Sequence, residues 1–267
     1  MSDDIIGTNF IQLFLLTQLY FLSMPNSTTS RKKKISSVAS WAEWFDRSAQ
    51  YYKNPLMKMA YYLDGQTGIP VPQKIMHATY RDIWDKLEAQ PAHTILDAGC
   101  GVGLFIKEYA GRVKNIIGTD TSPHMIAAAQ RNNPQNTFFV CAANQLPFND
   151  RQFDRLLCYG VFHYLPDEKT VRQTLAEFAR VVKTGGLILI GDVLEPVNPP
   201  AAASPKKKNI PWWPTQLNHQ LTKLKLPPSF FLEYCRDKNF VCEVLEQNIA
   251  DRVLPDSRYD IRIRLEK

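Results

Sequence analysis

Nine residues constrain this chain more than any others: Ile95-Leu96-Asp97-Ala98-Gly99-Cys100-Gly101-Val102-Gly103. An apolar run ends in one acid, and glycines then fall at every second position. His93 to Asp97 is expected to form a buried parallel strand, and Leu104 to Arg112 the helix after it. Between them the chain must turn sharply beside a ligand. Glycine suits such a turn, because it tolerates φ > 0 and lets another molecule touch the backbone. The helix N-terminus behind the turn offers unpaired N–H groups and a positive dipole end.

A dinucleotide site would read G-x-G-x-x-G. Here Gly99, Gly101 and Gly103 alternate, and Leu104 and Phe105 follow. A pyrophosphate is an anion, whereas a carboxylate at Asp97 suits a cationic group such as an ammonium. At these residues the sequence resembles the first motif of the class I S-adenosylmethionine-dependent methyltransferases. Asp97-Ala98-Gly99-Cys100-Gly101-Val102-Gly103 matches it at every defining position. The resemblance implies S-adenosylmethionine as cofactor, with Asp97, Gly99, Cys100, Gly101 and Gly103 around its methionine part. The plain alternative is an ordinary glycine-rich turn, but the motif has the right flanks and is not alone.

At 267 residues with 45% apolar content, one large α/β domain is expected and two are not required. The net charge of +6 is modest and clustered, so it is no proof of a nucleic-acid partner. The five cysteines, Cys100, Cys141, Cys158, Cys235 and Cys242, include no C-x-x-C pair. They read as reduced thiols of a cytoplasmic-type compartment. No His/Cys spacing suggests a metal such as zinc.

Residues 1–37 stand apart. Ile5 to Met24 is apolar but broken by Gly7, Asn9, Gln12 and Gln18, short of a span of about 20 apolar residues. Asp3 and Asp4 replace the basic start of a signal peptide. With Arg31-Lys32-Lys33-Lys34 behind it, the stretch can be read as a weak tether to a membrane surface. It can equally be read as a disordered tail, an accessory helix, or an over-long start before Met24.

The domain is expected over residues 38–267. Residues 38–90 read as a helical cap. Trp41, Trp44, Phe45, Ala49 and Tyr52 recur at helical spacing, Pro55 to Leu63 gives a second helix, and Lys74 to Leu87 a third. The third has Ile75, Met76, Tyr80, Ile83, Trp84 and Leu87 on its inner face. The family resemblance implies that this cap crosses the open edge of the cofactor pocket, where Tyr51, Tyr52, Tyr61 and Tyr62 would line the site. Each aromatic taken alone is explained as well by core packing.

Residues 91–193 read as the cofactor-binding core, strand alternating with helix. Asn115 to Asp120 is the second strand and again ends in an acid. In nucleotide folds an acid there accepts hydrogen bonds from two ribose hydroxyls. Asp120, Thr121 or Ser122 can also cap the helix Pro123 to Arg131. Met125 resembles the residue that packs on adenine in this family. Thr137 to Ala143 is the third strand. Where the family often reads Gly-Asp-Ala-Glu-x-Leu-Pro-Phe, this chain reads Cys141-Ala142-Ala143-Asn144-Gln145-Leu146-Pro147-Phe148. Ala142 thus replaces the acid that commonly accepts from the adenine amino group. Backbone N–H groups of Ala143 and Asn144 remain for the adenine, and the Asn144 or Gln145 amide can replace the acceptor. One lost hydrogen bond costs about 0.5–1.5 kcal/mol.

Phe153 to Gly160 is the fourth strand, with Val161-Phe162-His163-Tyr164-Leu165 beyond its carboxyl end, where open α/β sheets bind ligands. Tyr159 and His163 are placed to face the transferred methyl. His163 has the pKa of a general base, but no orienting partner is visible and a loop-tying role fits better. Glu168 to Lys183 is an amphipathic helix stopped by Thr184-Gly185-Gly186. Leu187 to Val193 is the fifth strand, where Asp192 is a second candidate base or substrate contact, or caps the turn. Residues 194–227 read as an insertion over the substrate mouth, with Lys206-Lys207-Lys208 and Trp212-Trp213. A solvated loop is the default there; substrate, membrane or RNA contact is the alternative. In residues 228–267, Pro228 to Lys238 is a helix, and Phe240 to Glu246 and Asp260 to Leu265 pair as antiparallel strands.

The expected fold is a three-layer α/β/α doubly wound sheet of seven strands, mostly parallel with an antiparallel last strand. The resemblance covers about Trp41 to Lys267 and implies methyl transfer to oxygen or nitrogen, with a small-molecule partner. The candidate catalytic residues are His163, Asp192 and Tyr159; Tyr159 and Thr121 join the cofactor set. Three alternatives stand: an aminopropyl transferase, an RNA methyltransferase suggested by a pI near 9.0, and a non-catalytic scaffold with a decayed cofactor site.

Overall fold

The computed structural model describes residues 40–51, 73–196, 222–247, 249 and 257–266. The apolar segment 5–24, the basic run 31–34, the expected helix 55–63, Tyr52, Tyr61 and Tyr62, the lysines 206–208 and Trp212-Trp213 lie outside them.

In chain order the elements are α1 (Trp41–Tyr51), α2 (Gln73–Leu87), β1 (Thr94–Ala98), α3 (Leu104–Tyr109), β2 (Asn115–Asp120), α4 (Pro123–Asn132), β3 (Thr137–Val140), β4 (Phe153–Tyr159), α5 (Glu168–Val181), β5 (Val182–Leu194), α6 (Pro228–Lys238), β6 (Val241–Leu245) and β7 (Arg258–Arg264). The seven strands form one sheet in the order β3-β2-β1-β4-β5-β7-β6. Pairs from β3 to β5 are parallel, and β7 runs antiparallel to both β5 and β6. The strand order reverses direction between β1 and β4, so the loops after these two strands flank a crevice.

Successive side chains of a strand face opposite sides. Leu96, Leu156 and Ile188 enter one apolar cluster, with Phe178 of α5 and Phe231 of α6. Their neighbours Ile95, Leu157 and Leu189 enter another, with Ile83 and Leu87 of α2 and Ile106 of α3. Both faces of the sheet are therefore covered, which is why β1, β4 and β5 read as unbroken apolar runs. Each fully buried Leu, Ile or Phe contributes about 1.5–3 kcal/mol. The helices follow the same logic: α5 buries Val171, Thr174, Leu175, Phe178 and Val181, one face at a 3–4 residue spacing. Asp167 caps it by accepting from Thr170 N at 2.8 Å.

Two boundaries differ from expectation for physical reasons. β3 ends at Val140, not Ala143, because its pairing with β2 stops where Asp120 faces Val140. Cys141–Ala143 then leave the sheet and turn, with Gln145 N donating to Ala142 O at 3.0 Å. The Gly185-Gly186 pair is not a helix stop. α5 ends at Val181, and its terminal carbonyls on Arg180 and Val181 accept from Arg151 N (2.8 Å) and Gln152 N (2.7 Å). β5 starts at once, and Gly185 (φ 76°) lies within it, where the pairing with β4 shifts register between Phe153 and Arg155. The last strand also starts earlier than expected, at Arg258.

Candidate functional site

The glycine loop is fastened to β2: Gly99 N and Cys100 N both donate to Thr119 O, at 2.7 and 2.8 Å. Gly99 (φ 85°) has no room for a side chain, since a Cβ would lie 2.3 Å from Val161 Cγ2. Gly101 (φ 53°) meets nothing within 4 Å where a Cβ would stand, so its outer side is open to a ligand. Asp120 closes the loop from the tip of β2. Its Oδ2 accepts from Gly101 N at 3.0 Å and its Oδ1 from Ser122 N at 2.9 Å. A carboxylate has about four lone-pair sites, so acceptor capacity remains for a ligand hydroxyl.

These residues line a cavity of about 910 Å³ at the carboxyl edge of the sheet, within the ~300–1,000 Å³ of small-molecule sites. Of the expected cofactor set, Asp97, Gly99, Cys100, Gly101, Asp120, Thr121, Met125, Ala143, Asn144 and Tyr159 face it. Gly103 does not. It sits behind the loop with φ 73°, its carbonyl held by Asn133 Nδ2 at 2.9 Å, and starts α3. The Asn144 amide reaches Gln173 Oε1 at 3.4 Å, and Gln145 is exposed, so no side-chain acceptor has taken the place left by Ala142.

Asp97 is 4% exposed, and no donor among the described residues hydrogen-bonds to it. Burial first, and the Asp120 charge second, push its pKa up to about 7. Burial likewise raises Asp120, against the backbone donors Ser122, Gly101 and Thr121 that lower it. A buried acid lacking a donor fits an ammonium, a second acid with spare lone pairs fits a ribose, and the open side of Gly101 admits a close contact. The residues present therefore fit S-adenosylmethionine.

The expected catalytic residues separate. His163 does not line the cavity and is 2% exposed. Its Nδ1 lies 3.2 Å from Asp192 O, its carbonyl accepts from Leu224 N at 2.9 Å, and its ring lies 4.0 Å from Tyr164. Burial pushes its pKa down to about 3. Through these bonds His163 ties the loop after β4 to β5 and to residue 224. Asp192 does line the cavity, in a left-handed conformation (φ 62°) near the end of β5. Its carboxylate pairs with Arg258 Nη1, and its N–H donates to Asp260 Oδ1 at 2.9 Å. Tyr159 OH accepts from Gln247 Nε2 at 3.3 Å, and the same nitrogen reaches Asp260 Oδ1 at 2.8 Å. Asp260 is fully buried and bound to Lys86 Nζ at 2.7 Å.

Several lining residues escaped the sequence reading as site residues. Trp41 and Phe45 of α1 wall the cavity, as do Tyr80 of α2 and the strap 222–225. α1 is anchored by Asp46, whose Oδ1 accepts from Ser122 Oγ at 2.6 Å and lies 2.9 Å from His124 Nδ1. The helical periodicity of the aromatics marked a buried face; nothing in it says that the face meets a ligand. Gln247, Arg258 and Asp260 carry no motif at all. Among the described residues no cluster of three His, Cys, Asp or Glu could hold a metal, all five cysteines are free, and no helix is long and apolar enough to cross a membrane.

Residues 96–190 match the family model described as a methyltransferase domain. The uncharacterized methyltransferase YcgJ of Bacillus subtilis is 32% identical over 117 residues, 42% of this chain and 45% of that protein. The malonyl-(acyl-carrier protein) O-methyltransferase of Serratia marcescens is 29% identical over 116 residues, 42% of this chain and 44% of that protein. The chain thus spans about half the length of the curated relatives it matches. The structure of phosphoethanolamine N-methyltransferase 1 from Haemonchus contortus, solved with phosphoethanolamine and S-adenosylhomocysteine, aligns with a TM-score of 0.62 at 15% identity. That alignment covers 84% of this chain and 48% of the other, and shows the shared fold. Motif, sheet order and family match agree over residues 96–190: this stretch is a methyltransferase domain, and its motif and sheet resemble those of the class I S-adenosylmethionine-dependent methyltransferases, whose cofactor is S-adenosylmethionine.

Proposed function

We propose that this chain transfers the methyl group of S-adenosylmethionine to an oxygen or nitrogen of a small molecule. The observation that carries the reading is one cavity holding two chemistries. Asp97, Asp120 and the open glycine loop share its lining with the rings of Trp41, Phe45, Tyr80, Tyr159 and Tyr164. When bound, S-adenosylmethionine supplies a methyl group on a cationic sulfur, already activated toward a nucleophile.

The chain's own work is then placement and exclusion of water. Asp97 would hold the ammonium and Asp120 the ribose hydroxyls. Met125 would pack on the adenine, with the backbone N–H groups of Ala143 and Asn144 at its edge. Tyr159 is the residue best placed to orient the acceptor, because it lines the cavity and is itself held by Gln247. Asp192 serves as an acceptor for a substrate N–H or O–H rather than as a base, since Arg258 occupies its Oδ2.

The test is calorimetric titration with S-adenosylmethionine and S-adenosylhomocysteine, with Asp97→Ala as control, followed by a methyl-acceptor screen that includes bulk RNA beside small molecules. Micromolar binding that is lost in the variant supports the reading. No binding at millimolar ligand would sink it and favour a scaffold role. Methylation of RNA alone would replace the small-molecule part.

A further inference from the structure

Cys235 on α6 and Cys242 on β6 meet across a single turn. α6 is closed by Asn239, whose left-handed backbone (φ 56°) reverses the chain, and Phe240 N donates back to Cys235 O at 2.9 Å. β6 leaves that turn along the edge of the sheet, with Cys242 opposite Ile263 of β7. Cys235 is fully buried and Cys242 half-buried, and both pack into the apolar cluster that Phe231 of α6 shares with Ile263. There the two thiols are hydrogen-bonded to each other, and neither is in a disulfide.

The five thiols of the chain are unequal. A cysteine attacks as its thiolate, so whatever favours ionisation favours reaction. Burial raises the pKa of Cys100, Cys141 and Cys158. Cys235 is raised too, first by the proton it shares with Cys242 and then by burial. Cys242 alone of the five is lowered: the bond from Cys235 outweighs burial and the Glu243 charge. A half-buried sulfur prepared for ionisation, with a protonated thiol in contact, is the arrangement of an attacking and a resolving cysteine. Neither residue lines the cavity, so the pair is separate from the cofactor site.

We propose that Cys235 and Cys242 are a reversible redox site: a hydroperoxide closes them into a disulfide that clasps α6 to β6, and a thiol reductant reopens it. In the first step the Cys242 sulfur attacks an oxygen of the hydroperoxide and the O–O bond breaks. Cys242 becomes a sulfenic acid, and the other oxygen leaves as water or an alcohol with the thiol proton. In the second step the Cys235 sulfur attacks the Cys242 sulfur and the S–O bond breaks. The hydroxyl leaves as water with the Cys235 proton. The thiol pair is oxidised by two electrons, and the hydroperoxide is reduced by the same two. Sulfurs already hydrogen-bonded need only a short approach to bond.

The experiment exposes the full, reduced chain to hydrogen peroxide. Remaining thiols are blocked with N-ethylmaleimide as the protein is unfolded in urea, and trypsin is added without a reductant. Trypsin cuts after Lys225, Arg236, Lys238 and Arg252, so the two cysteines fall in separate peptides, 226–236 and 239–252. The expected result is loss of the maleimide adducts of Cys235 and Cys242 together, with the two peptides joined through sulfur, before Cys100, Cys141 or Cys158 loses its own. Dithiothreitol before blocking should restore both adducts. Cys242→Ser should leave Cys235 a free thiol. Cys235→Ser keeps a donor but removes the resolving sulfur, and should leave Cys242 as a sulfenic acid that dimedone captures. The joined peptide is read in the wild type, so the main result does not depend on either variant folding.

The proposal is overturned if Cys235 and Cys242 keep their adducts while another cysteine is oxidised, or if all five thiols survive millimolar peroxide. It is equally overturned if Cys242 of the wild type is oxidised without the joined peptide forming, or if the joined peptide resists dithiothreitol. None of these readouts passes through cofactor or substrate, so failure of the methyltransferase reading would leave the test standing.

Discussion

Asp97 is the residue at which fold and function pull in opposite directions. It is an acid with a pKa near 7, buried beside another acid and given no donor among the described residues. The sign of the linkage follows. The native acid binds its proton up to about pH 7, whereas the unfolded one releases it near 3.8. Between those values the native state holds more protons, so the apoprotein loses stability as pH rises, by on the order of 4 kcal/mol in the limit. A bound ammonium favours the ionised acid, so ligand binding must expel the proton below pH 7. S-adenosylhomocysteine should therefore bind several-fold more weakly at pH 6 than at pH 7.5. Calorimetry in buffers of different ionisation heat should register proton release at the lower pH. Asp97→Asn should bind weakly at both values with no such release. An affinity flat across this window in the wild type would mean that Asp97 is already ionised in the free protein, or does not meet the ammonium.

At the scale of the element, β5 is the strand whose end is built for a purpose. Its pairing with β7 shifts between Ile190 and Val193, and within that shift Asp192 takes a left-handed backbone that side chains other than glycine, asparagine and aspartate resist. Asp260 holds its N–H, and Arg258 its carboxylate. All three substitutions Asp192→Ala, Asp192→Asn and Asp192→Gly remove the carboxylate that Arg258 Nη1 meets, and all should be destabilised. They should not be equal: alanine adds backbone strain that glycine relieves, by about 1 kcal/mol. Urea denaturation that ranks Asp192→Ala level with Asp192→Gly would remove the strain argument.

The same element marks the limit of what the sequence discloses. Asp97, the alternating glycines and Asp120 were legible because a strand–turn–helix and its ligand contacts are written within a few neighbouring residues. Gly185-Gly186 was legible only as a local helix stop. What ends α5 is Arg151 and Gln152 donating from a loop that lies before β4 in the chain. The ring-lined wall of the cavity was the least legible of all. Trp41 meets Thr222 across 181 residues of sequence, and no spacing rule encodes that contact.

The whole domain is a sheet covered on both faces, with a large cavity at the carboxyl edge, walled by β1, β2, β4, β5, α1 and the strap. The apolar clusters hold the sheet without any ligand. The parts around the cavity are held by fewer and more polar contacts, such as Asp46 to Ser122 and Trp41 to Thr222. A ligand spanning the glycine loop, Asp120 and α1 would tie these pieces to the sheet, and its binding energy would appear as stability. At a ligand concentration of 100 times Kd the gain is about 2.7 kcal/mol. For a domain of this size that corresponds to a rise in Tm of about 5–10 °C. At one fixed concentration of S-adenosylhomocysteine the rise should be larger at pH 7.5 than at pH 6. The higher pH removes the proton that the ligand would otherwise displace from Asp97, and it is also where the apoprotein is weakest. Differential scanning fluorimetry at the two values measures this directly. A larger rise at pH 6, or a pH-dependent rise that survives Asp97→Asn, would place the proton on another group of the cavity and break the link between the buried acid and the cofactor.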